Sequence, residues 1–361
     1  MLNQNINYIS NIISRKKILI SPLNWGLGHT TRIIPLIEFL IQKENDVIIA
    51  ADGDCLKYLK QRFPNLITEE ISGYNIKYNP KNLAIDMLFQ LPKIILGIRN
   101  EHYETEILVK KHLIDVVISD NRYGVHTKLC KSYFITHQLN IQAPVFQKLI
   151  NSINHFFIKK FDDCWIPDVK RKPNLTGQLT QIKTNFNTKF IGPLSRFWNQ
   201  ECSKNKEYDC LIMISGPEPK RSIFENELIT TLPVSKYSKV GVISPKLFHE
   251  GFTSNFIDVF PQLSDEDFYS LINQSSILIT RPGYTTVMDL LYTETTPFFI
   301  PTKGQTEQEY LAKYYHKEGW ANYSTELDFS WSKIPKNNSK FPIEQFSSQL
   351  NVFENLNAIK L

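Results

Sequence analysis

A histidine follows two glycines directly after the first strongly apolar run of the sequence. Gly26, Gly28 and His29 stand in segment 24–32, between the apolar run 17–21 and a helical pattern. Glycine allows a tight turn and close approach of a ligand to the backbone, and a helix start offers free N–H groups to an anion. A histidine there is predicted to act as an acid, a base or a hydrogen-bond donor. The alternative is a strand–helix turn whose histidine only caps the helix or packs.

A second glycine motif follows a later apolar run, 276–280, and reads Arg-Pro-Gly-Tyr-Thr-Thr over 281–286. Gly283 permits a sharp turn, and the N–H groups that follow are predicted to face outward at the start of a helix. The pattern predicts a cradle for a diphosphate, with two threonine hydroxyls as further donors. The predicted members of this cradle are Arg281, Gly283, Tyr284, Thr285 and Thr286.

Polar side chains suited to ribose and sugar hydroxyls come after this motif. Asp289 lies about one turn into the helix, where a carboxylate can accept from a ribose diol; the alternative is an acid that complements the helix dipole. After the next apolar run, Gln305 and Gln308 stand three residues apart and share a helix face if the helix has begun there. Amides offer donors and acceptors to sugar hydroxyls, although such residues are also common at exposed helix starts.

Two strand ends in the first half also carry ionisable side chains. Asp120 and Arg122 follow the apolar run 114–119, and His137 follows the run 133–136. Asp120 is a candidate general base, and Arg122 is a candidate clamp for an anion. Turn formation explains the Asp-Asn pair equally well, and a histidine satisfied in the core is the alternative for His137.

Short β-branched runs alternate with helical patterns along most of the chain. Apolar residues from Ile33 to Ile41 fall on one helix face, and Pro35 bends this helix or lies near its first turn. Continuous apolar strands separated by helices imply parallel sheets covered on both faces, with ligands at the carboxyl ends of the strands. Strands are predicted at 17–21, 46–50, 114–119, 133–136, around Trp165, and at 210–215, 239–243, 256–260, 276–280 and 297–301.

Length and charge distribution predict two domains. The 361 residues are 42% hydrophobic and 21% charged, which suffices for a sizeable core and excludes global disorder. Residues 1–200 hold 26 Lys and Arg against 16 Asp and Glu, a balance of +10, whereas the remainder holds 15 against 20, a balance of −5. A polar connector lies at 192–206. We expect an N-terminal domain at 15–198, a C-terminal domain at 206–328 and a tail at 329–361, with a weak helical pattern from 343 to 356.

Composition also bears on location and partners. Five scattered cysteines without metal spacing indicate free thiols in a reducing compartment. No apolar window reaches about 18 residues, the length of a membrane span, so we expect a cytoplasmic protein. A net charge of +5 is too small to indicate a nucleic-acid partner. The apolar segment 83–99, flanked by Lys81, Lys93 and Arg99, predicts either peripheral contact with an anionic membrane on its inner face or a core-facing helix.

The combination of three motifs resembles glycosyltransferases of the GT-B fold, and in particular glycosyltransferase family 28, which includes the peptidoglycan N-acetylglucosaminyltransferase. The motifs are G-x-G-H after the first strand, R-x-G-x-x-T-x-x-[DE] after a late strand, and Pro followed by Gln-x-x-Gln after the next. The resemblance is specific from about Cys210 to Ala321 and thinner from Lys16 to Ile41. It implies two Rossmann-like, doubly wound parallel-sheet domains facing a central cleft. The N-terminal domain would take the acceptor, and the C-terminal domain would bind the nucleotide-sugar donor.

The resemblance also implies roles for single residues. The segment 281–286 would hold the diphosphate region, Asp289 the ribose, and Gln305 and Gln308 the sugar or the ribose, with His29 beside the reacting centre. Further donor contacts are implied for Gly28, Ser215 and Gly216, and acceptor-side contacts for Arg32, Arg122 and His137.

The sequence departs from the family pattern at three places. The first loop of the second domain, 215–219, reads Ser-Gly-Pro-Glu-Pro and lacks the usual glycine-rich run. Asp289 replaces the commoner Glu, and two threonines precede Pro297 where a glycine is frequent.

These features predict transfer of a sugar from a nucleotide diphosphate sugar, UDP-linked and N-acetylhexosamine-like, to a hydroxyl of a glycan or lipid-linked acceptor. A base deprotonates the acceptor while donors at 283–286 stabilise the departing diphosphate. No cofactor or metal is expected, since no Asp-x-Asp pair occupies a matching loop, and family analogy implies inversion. The motif through Arg32 also resembles nucleotide-sugar hydrolases of the same fold. A nucleotide-sugar 2-epimerase, for which the sequence shows no clear motif, and a non-catalytic nucleotide-sugar-binding protein are also compatible with these features.

Overall fold

The described part of the chain divides into two compact units. The computed structural model describes residues 15–74, 83–200, 205–216, 218–334, 341–342 and 346. The first unit comprises the described residues of 15–195, and the second those of 196–346. The first unit ends three residues before the predicted limit at 198, and the second begins at Arg196, which bonds Asp265, while Phe197 packs on the ring of Tyr269.

The first unit is built on one parallel sheet of seven strands, in the order β3-β2-β1-β4-β5-β6-β7. The strands are β1 Lys17–Pro22, β2 Asp46–Ala51, β3 Ile67–Glu70, β4 Val116–Asp120, β5 Lys131–Ile135, β6 Asp163–Ile166 and β7 Thr188–Phe190. The helices are α1 Leu27–Arg32, α2 Ile34–Gln42, α3 Gly53–Arg62, α4 Leu83–His112 and α5 Gln147–Ile158, and a 3₁₀ turn lies at Gly177–Leu179. In the centre, Leu19 of β1 is in register with Ile48 of β2 and Val117 of β4, and all three are buried.

Two prolines lie within helices of this unit. Pro35 is the second residue of α2, where its missing N–H has no intrahelical partner in any case, as the sequence predicts. Pro92 lies inside the 30-residue helix α4. The segment 83–99 forms the start of this helix, and the structure describes its side chains at 90 and from 92 onward. There Ile98 is buried, whereas Ile95 and Leu96 are exposed. The apolar side chains at 95 and 96 therefore do not pack on the core of the unit.

The second unit is built on a parallel sheet of six strands, in the order β10-β9-β8-β11-β12-β13. The strands are β8 Tyr208–Met213, β9 Val240–Ile243, β10 Ile257–Phe260, β11 Ser275–Thr280, β12 Thr296–Phe299 and β13 Asn322–Tyr323. The helices are α6 Lys220–Thr230, α7 Pro245–His249, α8 Asp265–Asn273, α9 Tyr284–Leu290 and α10 Thr306–Lys317, and a 3₁₀ turn lies at Trp331–Lys333. The two sheets agree with the predicted architecture of doubly wound parallel-sheet domains.

The first residues of the predicted tail belong to the core of the second unit. Trp331 and Ile334 are buried in one cluster with residues of β8 and β9, and Phe329 packs against the cluster. The aromatic Phe346 packs on Trp320. The weak helical pattern predicted for 343–356 otherwise lies outside the described residues.

The parallel strands bring the predicted site residues to one edge of each sheet. In the first unit β1, β4 and β5 are neighbours, and in the second unit β8, β11 and β12 are neighbours. The loops that carry the predicted residues follow these strands, so in each unit they meet at the carboxyl edge, where such sheets bind ligands. No helix in the described ranges is both long and apolar enough to cross a bilayer.

Candidate active site

His29 and Asp120 meet at the carboxyl edge of the first sheet. Gly26 precedes α1 with φ +76°, a backbone conformation that favours glycine, and the helix then carries His29 towards the end of β4. The Nδ1 atom of His29 lies 3.2 Å from Oδ2 of Asp120. Because an ionised carboxylate only accepts, Nδ1 must donate, and this assigns the acceptor role to Nε2 of the same ring. Gly28, whose donor contact was predicted, is the second residue of α1 in this unit.

Arg32 binds the same carboxylate through two nitrogens. Its Nε donates to Oδ2 of Asp120 at 2.8 Å, and its Nη2 donates to Oδ1. Burial alone would raise the pKa of Asp120, but the charge of Arg32 and the contacts with His29 hold that pKa at about 2. Asp120 is completely buried and committed to these partners. It is therefore a poor candidate for the general base that the sequence suggested, and its geometry fits an orienting role for His29.

His29 is the member of this group that reaches solvent. Its side chain is 13% exposed, against 0% for Asp120. Burial lowers the pKa of His29, and the nearby charge of Arg32 lowers it further, against the opposite effect of Asp120. The imidazole is therefore neutral at pH 7, with Nε2 able to accept a proton. This is the protonation state that a general base requires.

His137 completes a chain of hydrogen bonds that starts at His29. Nη1 of Arg32 lies 3.0 Å from Nδ1 of His137, which is buried after β5. A guanidinium has no acceptor, so it must donate to Nδ1, and the ring proton of His137 then resides on Nε2. The structure thus joins His29, Asp120, Arg32 and His137 at the ends of three neighbouring strands.

Arg122 belongs to a different cluster. Its Nε donates to Glu101 at 2.9 Å, its Nη1 to Asp52 at 2.6 Å, and its Nη2 to the carbonyl oxygen of Ser72 at 2.6 Å. The guanidinium is completely buried and joins the ends of β2, β3 and β4 with α4. An anion would have to compete with these internal partners, and the role of Arg122 as an anion clamp stays a prediction. No sequence pattern indicated them, because the two carboxylates lie 21 and 70 residues away along the chain.

The predicted diphosphate cradle lies at the start of α9 in the second unit. Gly283 precedes the helix with φ −69° and ψ 136°, a conformation that other residues also adopt. A Cβ placed on Gly283 would meet its nearest neighbour, Oγ1 of Thr286, at 3.8 Å. The backbone there does not require glycine, and the absence of a side chain leaves room for close approach. Thr285 and Thr286 are half-buried, whereas the side chain of Tyr284 is buried.

Arg281 is bound to partners within the second unit. Its guanidinium is 1% exposed, donates from Nη1 to the carbonyl of Ile300 at 2.8 Å, and places Nη2 2.5 Å from Oε1 of Glu326. It also lies over the ring of Phe224, 4.9 Å from the centroid. Burial lowers the pKa of Arg281, and Glu326 opposes this effect. Arg281 thereby links the ends of β11, β12 and β13 to α6, and its phosphate contact stays a prediction.

Asp289 is likewise held inside the unit. It is 3% exposed, and its Oδ2 lies 3.3 Å from Nε of Arg196, whose Nη1 donates to Asp265 at 2.6 Å. The expected ribose contact would have to compete with this buried ion pair. Arg196 stands 93 residues before Asp289, and nothing in the local sequence pointed to it.

The glutamines of the third motif occupy different environments. Gln305 is exposed and precedes α10, which begins at Thr306, so the two glutamines do not share a helix face. Gln308 is buried, and its Oε1 accepts a hydrogen bond from the backbone N–H of Thr302 at 2.8 Å. Thr302 was not among the predicted site residues, although it stands inside the motif.

The loop after β8 carries the remaining predicted donor residues. Ser215 and Gly216 are exposed, and Gly216 has φ +136°, in the region that favours glycine. Among the described residues, no group of three or more His, Cys, Asp or Glu side chains is arranged to hold a metal ion.

The comparisons with known proteins agree with the resemblance in the motifs. No family model matches the chain. A relative from Pelagibacter ubique, UDP-N-acetylglucosamine–N-acetylmuramyl-(pentapeptide) pyrophosphoryl-undecaprenol N-acetylglucosamine transferase, is 26% identical over 337 residues, covering 87% of this chain and 86% of its own. The fold resembles the crystal structure of the kitacinnamycin glycotransferase, with TM-score 0.64, 12% identity and coverage of 95% and 93% of the two chains.

Acinetobacter baumannii MurG is another structural neighbour, with TM-score 0.52, 13% identity and coverage of 95% of this chain and 92% of its own. The two parallel sheets and these neighbours establish the GT-B fold. Together with the curated relatives they identify a glycosyltransferase that resembles family 28.

Proposed function

We propose that the protein transfers an N-acetylhexosamine from a UDP-linked donor to a hydroxyl acceptor, with His29 as the general base. The observation that carries this proposal is the hydrogen bond between His29 Nδ1 and the buried carboxylate of Asp120. It supports the tautomer in which Nδ1 carries the ring proton, so that Nε2 is left to accept the proton of the acceptor hydroxyl. Asp120 then stabilises the imidazolium that forms, as a carboxylate does behind a catalytic histidine.

The proposed transfer reaction requires no oxidant or reductant. The acceptor O–H proton moves to Nε2 of His29, the oxygen bonds to the anomeric carbon of the sugar, and the bond from that carbon to the diphosphate breaks. Attack opposite the leaving group inverts the anomeric centre. In this proposal the charge of the departing diphosphate is met by the backbone N–H groups after Gly283 and by the hydroxyls of Thr285 and Thr286, without a metal.

Donor binding in this proposal depends on local dipoles and not on bulk charge. The sequence after residue 200 carries a balance of −5, and Arg281 is neutralised by Glu326. Backbone N–H groups at a helix start are the remaining source of positive potential in that loop. Ser215, Gly216 and Gln305 are exposed in the neighbouring loops and are proposed to contribute further contacts.

For the acceptor we propose a lipid-linked glycan at the cytoplasmic face of a membrane. The name of the Pelagibacter ubique relative specifies a pyrophosphoryl-undecaprenol-linked acceptor. Along α4 the exposed side chains Leu96, Tyr103 and Ile107 follow one face of the helix, with Lys93 and Arg99 nearby, also exposed. An apolar stripe with basic neighbours favours binding to anionic lipid.

The proposal is tested by product release from UDP-N-acetylglucosamine. Transfer requires UDP to appear only when a lipid-linked or glycan acceptor is present; release without acceptor would instead establish a hydrolase. His29→Gln is expected to retain nucleotide binding and lose turnover. The matched control is His155→Gln, because His155 in α5 bonds the carbonyl of Leu139 at 2.7 Å and is assigned no role in transfer. Binding with no turnover in the native protein would identify a sensor.

Membrane contact is tested separately by sedimentation with phosphatidylglycerol vesicles, using phosphatidylcholine vesicles for comparison. Leu96→Gln is expected to weaken binding to the anionic vesicles. Leu327→Gln serves as the control, since Leu327 is also an exposed leucine but belongs to the second unit. Equal loss in both variants, or no binding by the native protein, contradicts membrane contact through α4.

A further inference from the structure

Thr302 carries a buried hydroxyl at the carboxyl edge of the second sheet. The residue follows β12 within the loop that leads to α10, and it is 8% exposed. Its Oγ1 has no hydrogen-bond partner among the residues that the structure describes. Buried hydroxyls in native proteins are nearly always hydrogen-bonded. An unpartnered hydroxyl beside a predicted ligand site therefore suggests that its partner is the ligand.

The backbone around this hydroxyl is fixed on both sides. The N–H of Thr302 donates to Oε1 of the buried Gln308 at 2.8 Å, and its carbonyl accepts from the N–H of Gln305 at 3.0 Å. Threonine has few side-chain rotamers. Once the backbone is held, the hydroxyl is therefore confined to a small region.

Thr302 Oγ1 lies beside the glycine of the loop after β8. A Cβ placed on Gly216 would come within 3.9 Å of Oγ1, and no other neighbour of that Cβ lies closer among the described residues. Because β8 and β12 flank β11 on its two sides, their loops border the loop that carries Gly283. The hydroxyl therefore lies where the loops after β8 and β12 approach each other, and a side chain in place of Gly216 would narrow the space beside it.

We propose that Thr302 donates its hydroxyl hydrogen to an oxygen of the nucleotide-sugar donor and that Gln308 is the positioning residue that holds Thr302 for this contact. The inference rests on the proposed function, because it takes the donor to bind at this edge. Phosphate oxygens and sugar hydroxyls both accept such a bond. The surrounding loops supply N–H groups, so an oxygen-rich, anionic ligand fits the space better than an apolar or cationic one.

The first test is Thr302→Val, which replaces the hydroxyl by a methyl group of similar shape. Removal of an unpartnered hydroxyl relieves a desolvation cost, so the melting temperature of the ligand-free protein is expected to stay the same or rise. Affinity for UDP-N-acetylglucosamine is expected to fall about tenfold, the loss typical of one hydrogen bond to a polar ligand. Thr302→Ser is expected to restore most of the affinity. A purely structural role would lower stability and affinity together.

Ser324→Ala provides the matched control. Ser324 also has a buried hydroxyl without a described partner, but it follows β13 at the end of the sheet. Its loss is expected to leave nucleotide affinity unchanged. Gln308→Glu keeps an oxygen acceptor for the Thr302 N–H and is expected to preserve more affinity than Gln308→Leu.

Isothermal titration with UDP and with UDP-N-acetylglucosamine identifies the oxygen that Thr302 contacts. If Thr302→Val lowers the affinity for both ligands, the contact is assigned to the nucleoside diphosphate. If it lowers the affinity for the nucleotide sugar alone, the contact is assigned to the sugar. Native affinity for both ligands in this variant overturns the inference, as does a matched loss in Ser324→Ala. Absence of binding by the native protein overturns the proposed function and this assignment with it. If Thr302→Val does not fold, Thr302→Ala answers the same question.

Discussion

Replacement of Asp120 by Asn perturbs the proposed base through its orienting carboxylate. The native carboxylate accepts from Nδ1 of His29 and from two nitrogens of Arg32, and it is completely buried. Asn leaves the guanidinium buried without a counter-charge, a change that typically costs about 3–5 kcal/mol of stability. Asn can also donate to Nδ1 and stabilise the wrong imidazole tautomer. We expect kcat to fall by about 10⁴, the loss seen when such a carboxylate is replaced by an amide.

The dependence of stability on pH supplies a second signature. The pKa of Asp120 falls from its usual 3.8 to about 2 in the folded protein. At 1.36 kcal/mol per pKa unit this corresponds to about 2 kcal/mol of stabilisation. Because the folded pKa is the lower one, this contribution is present above about pH 4 and is lost as the pH falls through 2. The native protein and the Asn variant should therefore become closer in stability as the pH falls below about 4.

The pH–rate profile separates orientation from folding. A base must be unprotonated, so the rate rises with pH through the pKa of His29, which burial and Arg32 hold below 6.5. Asp120 opposes this lowering. Its loss should move the acidic limb to still lower pH while kcat falls. The assay is UDP release with acceptor, measured from pH 4.5 to 8.5 on folded variants.

Asp168→Asn is the control, because that carboxylate is equally buried but accepts from backbone N–H groups at 169, 175 and 176. It should lose stability and keep the native pH–rate profile. Native kcat in Asp120→Asn, or an acidic limb displaced to higher pH, would refute the assignment of His29 as a base oriented by Asp120.

Four further outcomes follow from the contacts. Glu326→Ala leaves Arg281 buried without its counter-charge and should lower the free energy of unfolding by about 3 kcal/mol in urea titrations, more than Arg281→Met does; equal effects would contradict the pairing. Gly216→Ala, at φ +136°, should destabilise by about 1–2 kcal/mol in the same titrations. Gly283→Ala, at φ −69°, should leave the melting temperature within about 2 °C of native yet weaken UDP binding, and unchanged affinity would remove this loop from the donor site. Arg122→Lys keeps the positive charge but loses the guanidinium group that bonds two carboxylates and a carbonyl oxygen. Chemical denaturation should show a decrease of about 2–4 kcal/mol in the free energy of unfolding, without a change in nucleotide affinity.

The sequence predicted those strands whose side chains are buried on both faces. Continuous apolar runs such as 17–21 and 276–280 identify such strands without reference to partners. β3, β7 and β13 were missed because they lie at sheet edges, where half-exposed side chains replace the apolar run, and β13 has only two residues. Edge strands are short and polar in many sheets, so their pattern resembles that of a loop.

At the candidate site, the sequence predicted positions better than contacts. A residue that follows a parallel strand must lie at the carboxyl edge, and this argument located His29, Asp120 and Gly283 correctly in the fold. Whether a side chain then faces a ligand or the interior depends on partners that are distant in sequence. Arg281 pairs with a glutamate 45 residues later, and Asp289 pairs with an arginine 93 residues earlier. No spacing rule connects such residues, so both arginine–carboxylate pairs emerge only from the fold.

Two buried arginines, Arg32 and Arg281, bind carboxylates within their units, and the groups to which the proposed mechanism gives chemical roles are neutral. Burial and the charge of Arg32 keep the pKa of His29 low, and the same guanidinium binds the Asp120 carboxylate that orients the imidazole. In the second unit Arg281 joins three strand ends to α6 and is itself neutralised by Glu326. The groups proposed to bind a donor in this unit, among them the hydroxyl of Thr302 and the N–H groups after Gly283, are dipoles and not charged side chains. Fixed dipoles stabilise a leaving diphosphate without the reorganisation that mobile charged side chains would require, so in the proposed mechanism Arg281 can serve the scaffold.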